Sequence, residues 1–128
     1  MELFKVLGPK GEAIHGGTGK WPLPTKTKPG AWLEITGDLI VCQNALHGTP
    51  SHALMRWYRP ESRVFVMEPD VSAGVAIEDS SKAGFRKARL LQEVTAEWPL
   101  LKLFPQVWLY VAMRDAAKDG AKANLYGA

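Results

Sequence analysis

Short apolar segments, separated by connections rich in Gly and Pro, make up the first 94 residues. β-branched and aromatic residues are frequent in these segments, and each is bounded by residues that favour turns. FRKARLLQEV fits both a strand and a helix, and we assign it to a strand because it is short. Four segments are therefore predicted to be strands: ELFKVLGP, SRVFVMEP, AGVAIED and FRKARLLQEV.

The region between the first two of these strands contains a loop and a hairpin. Residues 11–30 are rich in Gly, Pro, Thr and Lys, which predicts a long exposed loop. Residues 31–42 contain two apolar runs on either side of Gly37 and Asp38, which predicts a hairpin. Its second strand, Leu39–Val41, is entirely apolar and is expected to be buried, with Cys42 as a small buried residue at its end.

A helix is predicted immediately after the hairpin. Thr49 has the character of an N-cap, Pro50 suits the first helical position and Pro60 closes the segment. Apolar residues recur there at helical spacing and predict a buried stripe. The stripe consists of Ala53, Leu54, Trp57 and Tyr58.

The pattern changes again at Thr95, where helical spacing replaces short alternating segments. Thr95 is a candidate cap, Pro105 can start or kink a second segment, and Gly120 is expected to stop it. The predicted buried stripe consists of Val107, Trp108, Val111 and Ala112.

These elements predict an α+β fold: a small, mainly antiparallel sheet with one helix inserted between strands and a helical C-terminal segment. The predicted single domain, 1–128, comprises a sheet-rich part at 1–94, a helical part at 95–120 and a frayed tail at 121–128.

Composition and charge restrict the cellular compartment and the class of binding partner that we expect. A hydrophobic content of 46% and a charged content of 23% are those of a globular domain rather than a disordered chain. The net charge is +3, but Lys and Arg are spread thinly, which does not favour sequence-specific nucleic-acid binding. The single cysteine, the absence of a signal-like N-terminal segment and the short apolar run 107–113 predict a cytoplasmic protein without a membrane span.

The segment HGGTGKW, residues 15–21, does not meet the requirements of a phosphate-binding P-loop. Ile14 occupies the position of the first glycine and Trp21 that of the hydroxyl residue that would hold magnesium. A flexible glycine loop is the simpler interpretation. Lys20 and the neighbouring amides remain candidates for a looser contact with an anion.

Cys42, His47 and His52 have spacing that could supply three zinc ligands. Structural zinc sites need a fourth ligand, for which only His15 is a candidate, and the chain has no second cysteine. No metal site and no cofactor are therefore assigned.

His47 is the leading candidate for a binding residue. It precedes the predicted cap, where free amides at a helix N-terminus attract anions. The predicted ligand-binding set consists of His47, Gly48, Thr49, Ser51 and Lys20. The alternative is that His47 forms a local hydrogen bond that closes the joint between strand and helix.

Other chemistry-bearing residues do not define a reaction. Glu78 and Asp79 form one acidic pair at a strand end, where solvated carboxylates are common. The five tryptophans are consistent with a dense core or with an exposed aromatic contact surface.

The order of these motifs resembles an uncharacterised domain family of bacteriophage and prophage genomes. The resemblance covers about residues 2–94, and its most specific match is the segment VCQNALHGTP, similar to the family pattern Cys-x-x-Gly-Phe/Leu-His-Ala. A second match is Asp79–Lys82. Ala45 and Gly48 depart from the family, which has glycine and alanine there. The resemblance implies a phage-encoded accessory protein and transfers no catalytic residue.

Two functional hypotheses follow. The first is an interaction or binding module that engages a host or phage protein, or a second copy of itself. The second is a small enzyme that binds NAD or a nucleotide, similar to ADP-ribosyltransferases. In that case the Leu46–Thr49 segment holds the ligand, with His47 and Glu78 as candidate catalytic residues.

Overall fold

The computed structural model describes residues 2–14, 19–79 and 81–125, and the side chains of 77–79 and 121–125 lie outside that description. The described residues form seven strands, three short 3₁₀ helices and one α-helix. The strands are β1 (Leu3–Leu7), β2 (Leu33–Glu34), β3 (Leu46–Pro50), β4 (Arg63–Pro69), β5 (Val75–Asp79), β6 (Lys82–Phe85) and β7 (Lys87–Val94). The 3₁₀ helices span Ser51–Trp57, Val71–Ala73 and Leu101–Leu103, and α1 spans Pro105–Leu125.

The seven strands form one antiparallel sheet in the order β2-β7-β4-β1-β3-β6-β5. β1 is the central strand, with all five of its residues paired to β4 on one side and its first two paired to β3 on the other. The register of β4 against β7 shifts between Val66 and Met67. Such a bulge bends the strand and increases its twist, which helps the sheet to curl.

Successive side chains of a strand point to opposite faces of the sheet. Those of the central strand pack into an apolar cluster on each face. Phe4 and Val6 point into one cluster, which α1 and the 3₁₀ helix 51–57 cover. Leu7 points into a second cluster on the opposite face, to which the loop residue Trp21 contributes. The fold therefore has two apolar cores that share one sheet.

A buried hydroxyl cluster attaches α1 to the segment between the 3₁₀ helix 51–57 and β4. Tyr110 is fully buried, and its hydroxyl accepts a hydrogen bond of 3.2 Å from the backbone N–H of Arg59. The same hydroxyl bonds to the hydroxyl of Ser62, which also donates to the carbonyl of Arg59 at 2.7 Å. Burial raises the pKa of Tyr110, so the phenol is neutral at physiological pH.

The predicted α+β class and the four strand segments are confirmed, although the chain is mostly sheet. FRKARLLQEV contributes to two strands, since Phe85 ends β6 and β7 begins at Lys87.

The inserted α-helix is not confirmed. Residues 46–50 form β3, because they pair with β1 and β6, and the following helix is a 3₁₀ helix that starts at Ser51. Thr49 is not an N-cap, since it lies in β3 and its hydroxyl donates to the carbonyl of Ser81 at 2.7 Å.

The hairpin predicted for 31–42 is wrong. β2 pairs with β7, whereas Ile40 pairs only with Asn44, through hydrogen bonds of 3.0 and 2.7 Å that close a tight local turn. The backbone N–H and C=O groups of Ile40 are bonded within this turn, so they do not pair with another strand. Ile40 is consequently 44% exposed rather than buried.

The C-terminal helix exists, but its bounds and its buried face differ from the prediction. It begins at Pro105 rather than Thr95, continues past Gly120 and ends at Leu125, while 126–128 lie outside the described residues. Its buried residues are Val107, Tyr110, Val111 and Arg114, whereas Trp108 and Ala112 of the predicted stripe are exposed. Periodicity alone did not distinguish the two faces, because both carry apolar residues. Within the described part of the chain, no helix has the length and apolar character to cross a membrane.

The Tyr110 cluster generates a stability prediction. Tyr110→Phe removes the acceptor of the partly buried N–H of Arg59 and a hydrogen-bond partner of the buried Ser62 hydroxyl, and we expect a loss of about 1–3 kcal/mol in the free energy of unfolding. Tyr58→Phe is the matched control, because the Tyr58 ring packs edge-on against Tyr110 at 5.1 Å but its hydroxyl makes no hydrogen bond to the described residues. Urea unfolding of both variants tests this, and equal stabilities would contradict it.

Candidate functional site

A cleft of about 590 Å³ opens beside the central strands β1 and β3. Residues from β1, β3 and the loop residues 13–14, 19–21, 35 and 42–45 line it, together with Leu33 of β2, Trp57 and Lys82. Its volume lies within the range of about 300–1,000 Å³ that is usual for small-molecule sites. The cleft is therefore the candidate functional site.

Lys5 places a positive charge in this cleft. Alternation along β1 directs it to the same face as Leu3 and Leu7, next to the second apolar core. Its ammonium lies 5.1 Å from the centre of the Trp21 ring, and no carboxylate of the described residues lies within 4.0 Å of it. Burial lowers the pKa of Lys5 from 10.5 to about 8, because desolvation penalises the charged form.

A second lysine reaches the cleft from the neighbouring strand β6. The ammonium of Lys82 donates to Cys42 Sγ at 3.0 Å and lies 5.8 Å from the centre of the Trp57 ring. The indole N–H of Trp57 donates in turn to the hydroxyl of Thr49 at 3.1 Å. These contacts fix the positions of a cation and an aromatic ring at the same edge of the cleft.

His47 holds a loop in place. Its Nε2 accepts a hydrogen bond of 3.0 Å from the backbone N–H of Cys42, so Nε2 carries the lone pair and the ring proton is on Nδ1. Cys42 has a φ of 68°, a left-handed conformation that is uncommon for a residue other than glycine. The local hydrogen bond that was the alternative interpretation of His47 is thus present, and it ties the loop to β3.

Asn44 holds the other side of the same loop. Its side-chain amide donates to the carbonyls of Thr36 at 2.7 Å and Asp38 at 2.8 Å. The loop that carries Cys42 and Gln43 into the cleft is therefore fixed at both ends by side-chain hydrogen bonds.

The structure brings most of the predicted binding residues together, although not in the predicted way. Lys20, His47, Gly48 and Thr49 line the cleft, whereas Ser51 begins the 3₁₀ helix and is not among the lining residues. The expected anion site at a helix N-terminus is wrong, because Gly48 and Thr49 lie in β3. Gly48 makes room for Met67, since a Cβ atom at this position would lie 2.5 Å from the methyl carbon of Met67.

The predicted catalytic and metal-binding candidates are not assembled into a site by the described residues. Glu78 lies in β5, but its side chain is outside the described part of the structure, and His15 lies in the undescribed segment 15–18. Cys42 is exposed rather than buried, and so is His52. Among the residues described, no group of three His, Cys, Asp or Glu side chains is placed to hold a metal ion.

Sequence reasoning missed Lys5 and Lys82 as cleft residues. The sequence does single out Lys5, because it is a charged residue inside the apolar strand LFKVL. A charge at such a position must either reach solvent or face a polar cavity. Lys82 had no comparable signal, since only the pairing of β3 with β6 brings it near Cys42.

The lowered pKa of Lys5 generates a prediction for the isolated protein. Between pH 8 and 10.5 the unfolded chain binds more protons at this residue than the folded chain does, so the contribution of Lys5 to stability rises with pH. We expect Lys5→Met to raise the free energy of unfolding at pH 7 by about 1–3 kcal/mol, and this gain to shrink towards pH 10.

Urea unfolding at pH 7, 8.5 and 10 measures this difference. Lys26→Met, at an exposed position outside the cleft, is the control and should show no such gain. A constant difference between wild type and Lys5→Met across this pH range would contradict the assignment.

Comparison of the chain with protein-family models, with curated proteins and with solved structures found no match. The interpretation of the cleft therefore rests on its own geometry and charge.

Proposed function

We propose that this protein is a binding module whose cleft holds a small anionic ligand. The observation that carries the proposal is Lys5, a partly buried ammonium group that faces the cleft without a carboxylate partner among the described residues. A cation in such a place is destabilised by the loss of its hydration. A bound anion would restore the missing interaction.

The other charged groups of the cleft also favour a negatively charged ligand. Lys20 and Lys82 also line the cleft, and its described lining residues include no Asp or Glu. Exposed Lys20 adds positive potential at the rim, while Lys82 lies beside the ring of Trp57. The described lining therefore carries only positive charge, which attracts anions.

Aromatic and polar groups favour a ligand with both an apolar ring and an anionic group. The rings of Trp21 and Trp57 both line the cleft, and the exposed Gln43 adds an amide that can donate or accept hydrogen bonds. The volume of about 590 Å³ suits a nucleotide. Nucleotides and NAD, the ligands of the second sequence-based hypothesis, are therefore the first probes. No reaction is proposed.

The biological context stays a prediction. A phage-encoded accessory role inside a bacterial cytoplasm follows from the resemblance of residues 2–94, and a host or phage protein as partner follows from the first hypothesis. Binding of an anion in the cleft is compatible with both roles.

The binding prediction centres on Lys5. We expect ATP or NAD to bind the wild-type protein at pH 7 and Lys5→Met to weaken binding by about 10- to 100-fold, as for loss of one hydrogen bond to a charged group. Isothermal titration calorimetry measures this, with Lys26→Met as the charge-matched control. Absence of binding at millimolar ATP and NAD, or equal affinity in Lys5→Met, would refute the proposal.

The affinity is also expected to depend on pH. Because Lys5 loses its proton near pH 8, the affinity for NAD should fall by about tenfold between pH 7 and pH 9. The pyrophosphate of NAD keeps its charge over this range, so the change reports on the protein. In Lys5→Met the dependence should disappear, and its persistence would assign it to another group.

A further inference from the structure

We infer that the amine of Lys5 holds a ligand covalently, as a Schiff base with an aldehyde or ketone carbonyl of that ligand. The class of ligand is therefore a small carbonyl compound that also carries an anionic group. Its anionic group rests on the proposed function, whereas its carbonyl is inferred from the surroundings of Lys5. Ion pairing with an anion does not require such a bond.

The position of Lys5 in the sheet makes its amine a nucleophile that a ligand can reach. Lys5 is the middle residue of β1, and every residue of this strand pairs with β4. Its side chain lines the cleft of about 590 Å³. The sheet therefore fixes the backbone of Lys5, which places a reactive group more precisely than a loop does.

The surroundings of the amine favour its neutral form, which is the form that attacks a carbonyl carbon. In the described part of the chain no carboxylate lies within 4.0 Å of Lys5, and no Asp or Glu lines the cleft. An ion pair would keep the proton on the amine, whereas burial without one lowers the pKa to about 8. At pH 7 about a tenth of the amine is then neutral, roughly 300-fold more than at a pKa of 10.5.

Other groups of the cleft can hold the rest of such a ligand. Lys20 and Lys82 line the same cavity and carry the positive charge that attracts its anionic group. Lys82 is held at the edge of the cleft, where its ammonium donates to Cys42 Sγ at 3.0 Å. The ring of Trp21, whose centre lies 5.1 Å from the amine of Lys5, offers a flat apolar wall to the carbon skeleton.

Formation of the Schiff base is balanced by the release of one water molecule. The neutral amine of Lys5 attacks the carbonyl carbon, a C=N bond replaces the C=O bond, and the oxygen leaves with both amine protons. No oxidant or reductant takes part, because the step transfers no electrons between the reactants. Water reverses the reaction and frees the ligand, so the attachment suits a binding module.

Reductive trapping on the full chain tests the inference. Pyridoxal 5′-phosphate is the probe, because it carries an aldehyde, an aromatic ring and a phosphate. A substoichiometric amount is incubated with the protein at pH 7 and cyanoborohydride, which reduces an imine to a stable amine that peptide mass spectrometry locates. We expect at least about tenfold more adduct at Lys5 than at Lys26, which is exposed and outside the cleft. Adduct spread evenly over the exposed lysines would overturn the inference.

Lys5→Arg separates the Schiff base from the ion pair. Arginine keeps a positive charge in the cleft, but its guanidinium stays protonated and forms no imine with the probe. We expect folded Lys5→Arg to lose the selective adduct and to bind ATP more tightly than Lys5→Met does. Lys26→Arg is the matched control and should keep the adduct at Lys5.

Circular dichroism confirms that Lys5→Arg is folded, and the peptide map of the wild-type adduct tests the inference without any variant. An undiminished adduct in folded Lys5→Arg would place the reactive amine elsewhere and overturn the inference.

Pyridoxal, which lacks the phosphate, distinguishes failure of this inference from failure of the proposed function. Because Lys20 and Lys82 attract the phosphate, we expect pyridoxal to give about tenfold less adduct at Lys5 than pyridoxal 5′-phosphate gives. Equal adduct from the two probes would support the Schiff base and refute the anionic ligand. Binding of ATP or NAD without a selective adduct at Lys5 would support the proposed function and overturn the Schiff base.

Discussion

Pairing of β1 between β3 and β4 is the constraint on which the remaining structure depends. This five-residue strand is central in the sheet and separates the two apolar clusters. Phe4 contacts the rings of Trp98 and Phe104 at 5.9 and 5.7 Å, under the C-terminal elements. Its neighbour Lys5 points to the other face and into the cleft. The alternation of one strand thus determines both what α1 packs on and what charge the cleft contains.

The cleft contains a lysine whose burial disfavours its charged form. The ammonium of Lys5 lies over the ring of Trp21, and both residues line the cavity. The loop 36–45 borders the cavity and is held by hydrogen bonds of Asn44 and His47. Walls that are already held in place would lose little conformational entropy if a ligand bound.

Both faces of α1 carry apolar residues, but only one of them is buried. The buried face is specified by contacts with the sheet domain, above all by the hydroxyl of Tyr110 between Arg59 and Ser62. The opposite face also carries apolar residues, among them Trp108, Leu109 and Met113, which are 40–49% exposed. A helix with two apolar faces has a low hydrophobic asymmetry, and this explains why spacing alone predicted Trp108 as buried and overlooked Tyr110.

The sequence by itself determined the class of the fold, the strands that contain β-branched and aromatic residues, and the presence of a C-terminal helix, because these depend on local composition and spacing. It also predicted a ligand-binding segment at Leu46–Thr49, and these residues line the cleft, but as part of a strand and not at the start of a helix. Only the tertiary structure decided that these residues form a strand, since hydrogen bonds to β1 and β6 outweigh the local preference of Thr49 and Pro50 for a helix start. Lys5, Lys82 and Trp57 likewise line one cleft only because of the strand order. Strand order brings together residues that are far apart in the chain, and no local sequence pattern indicates it.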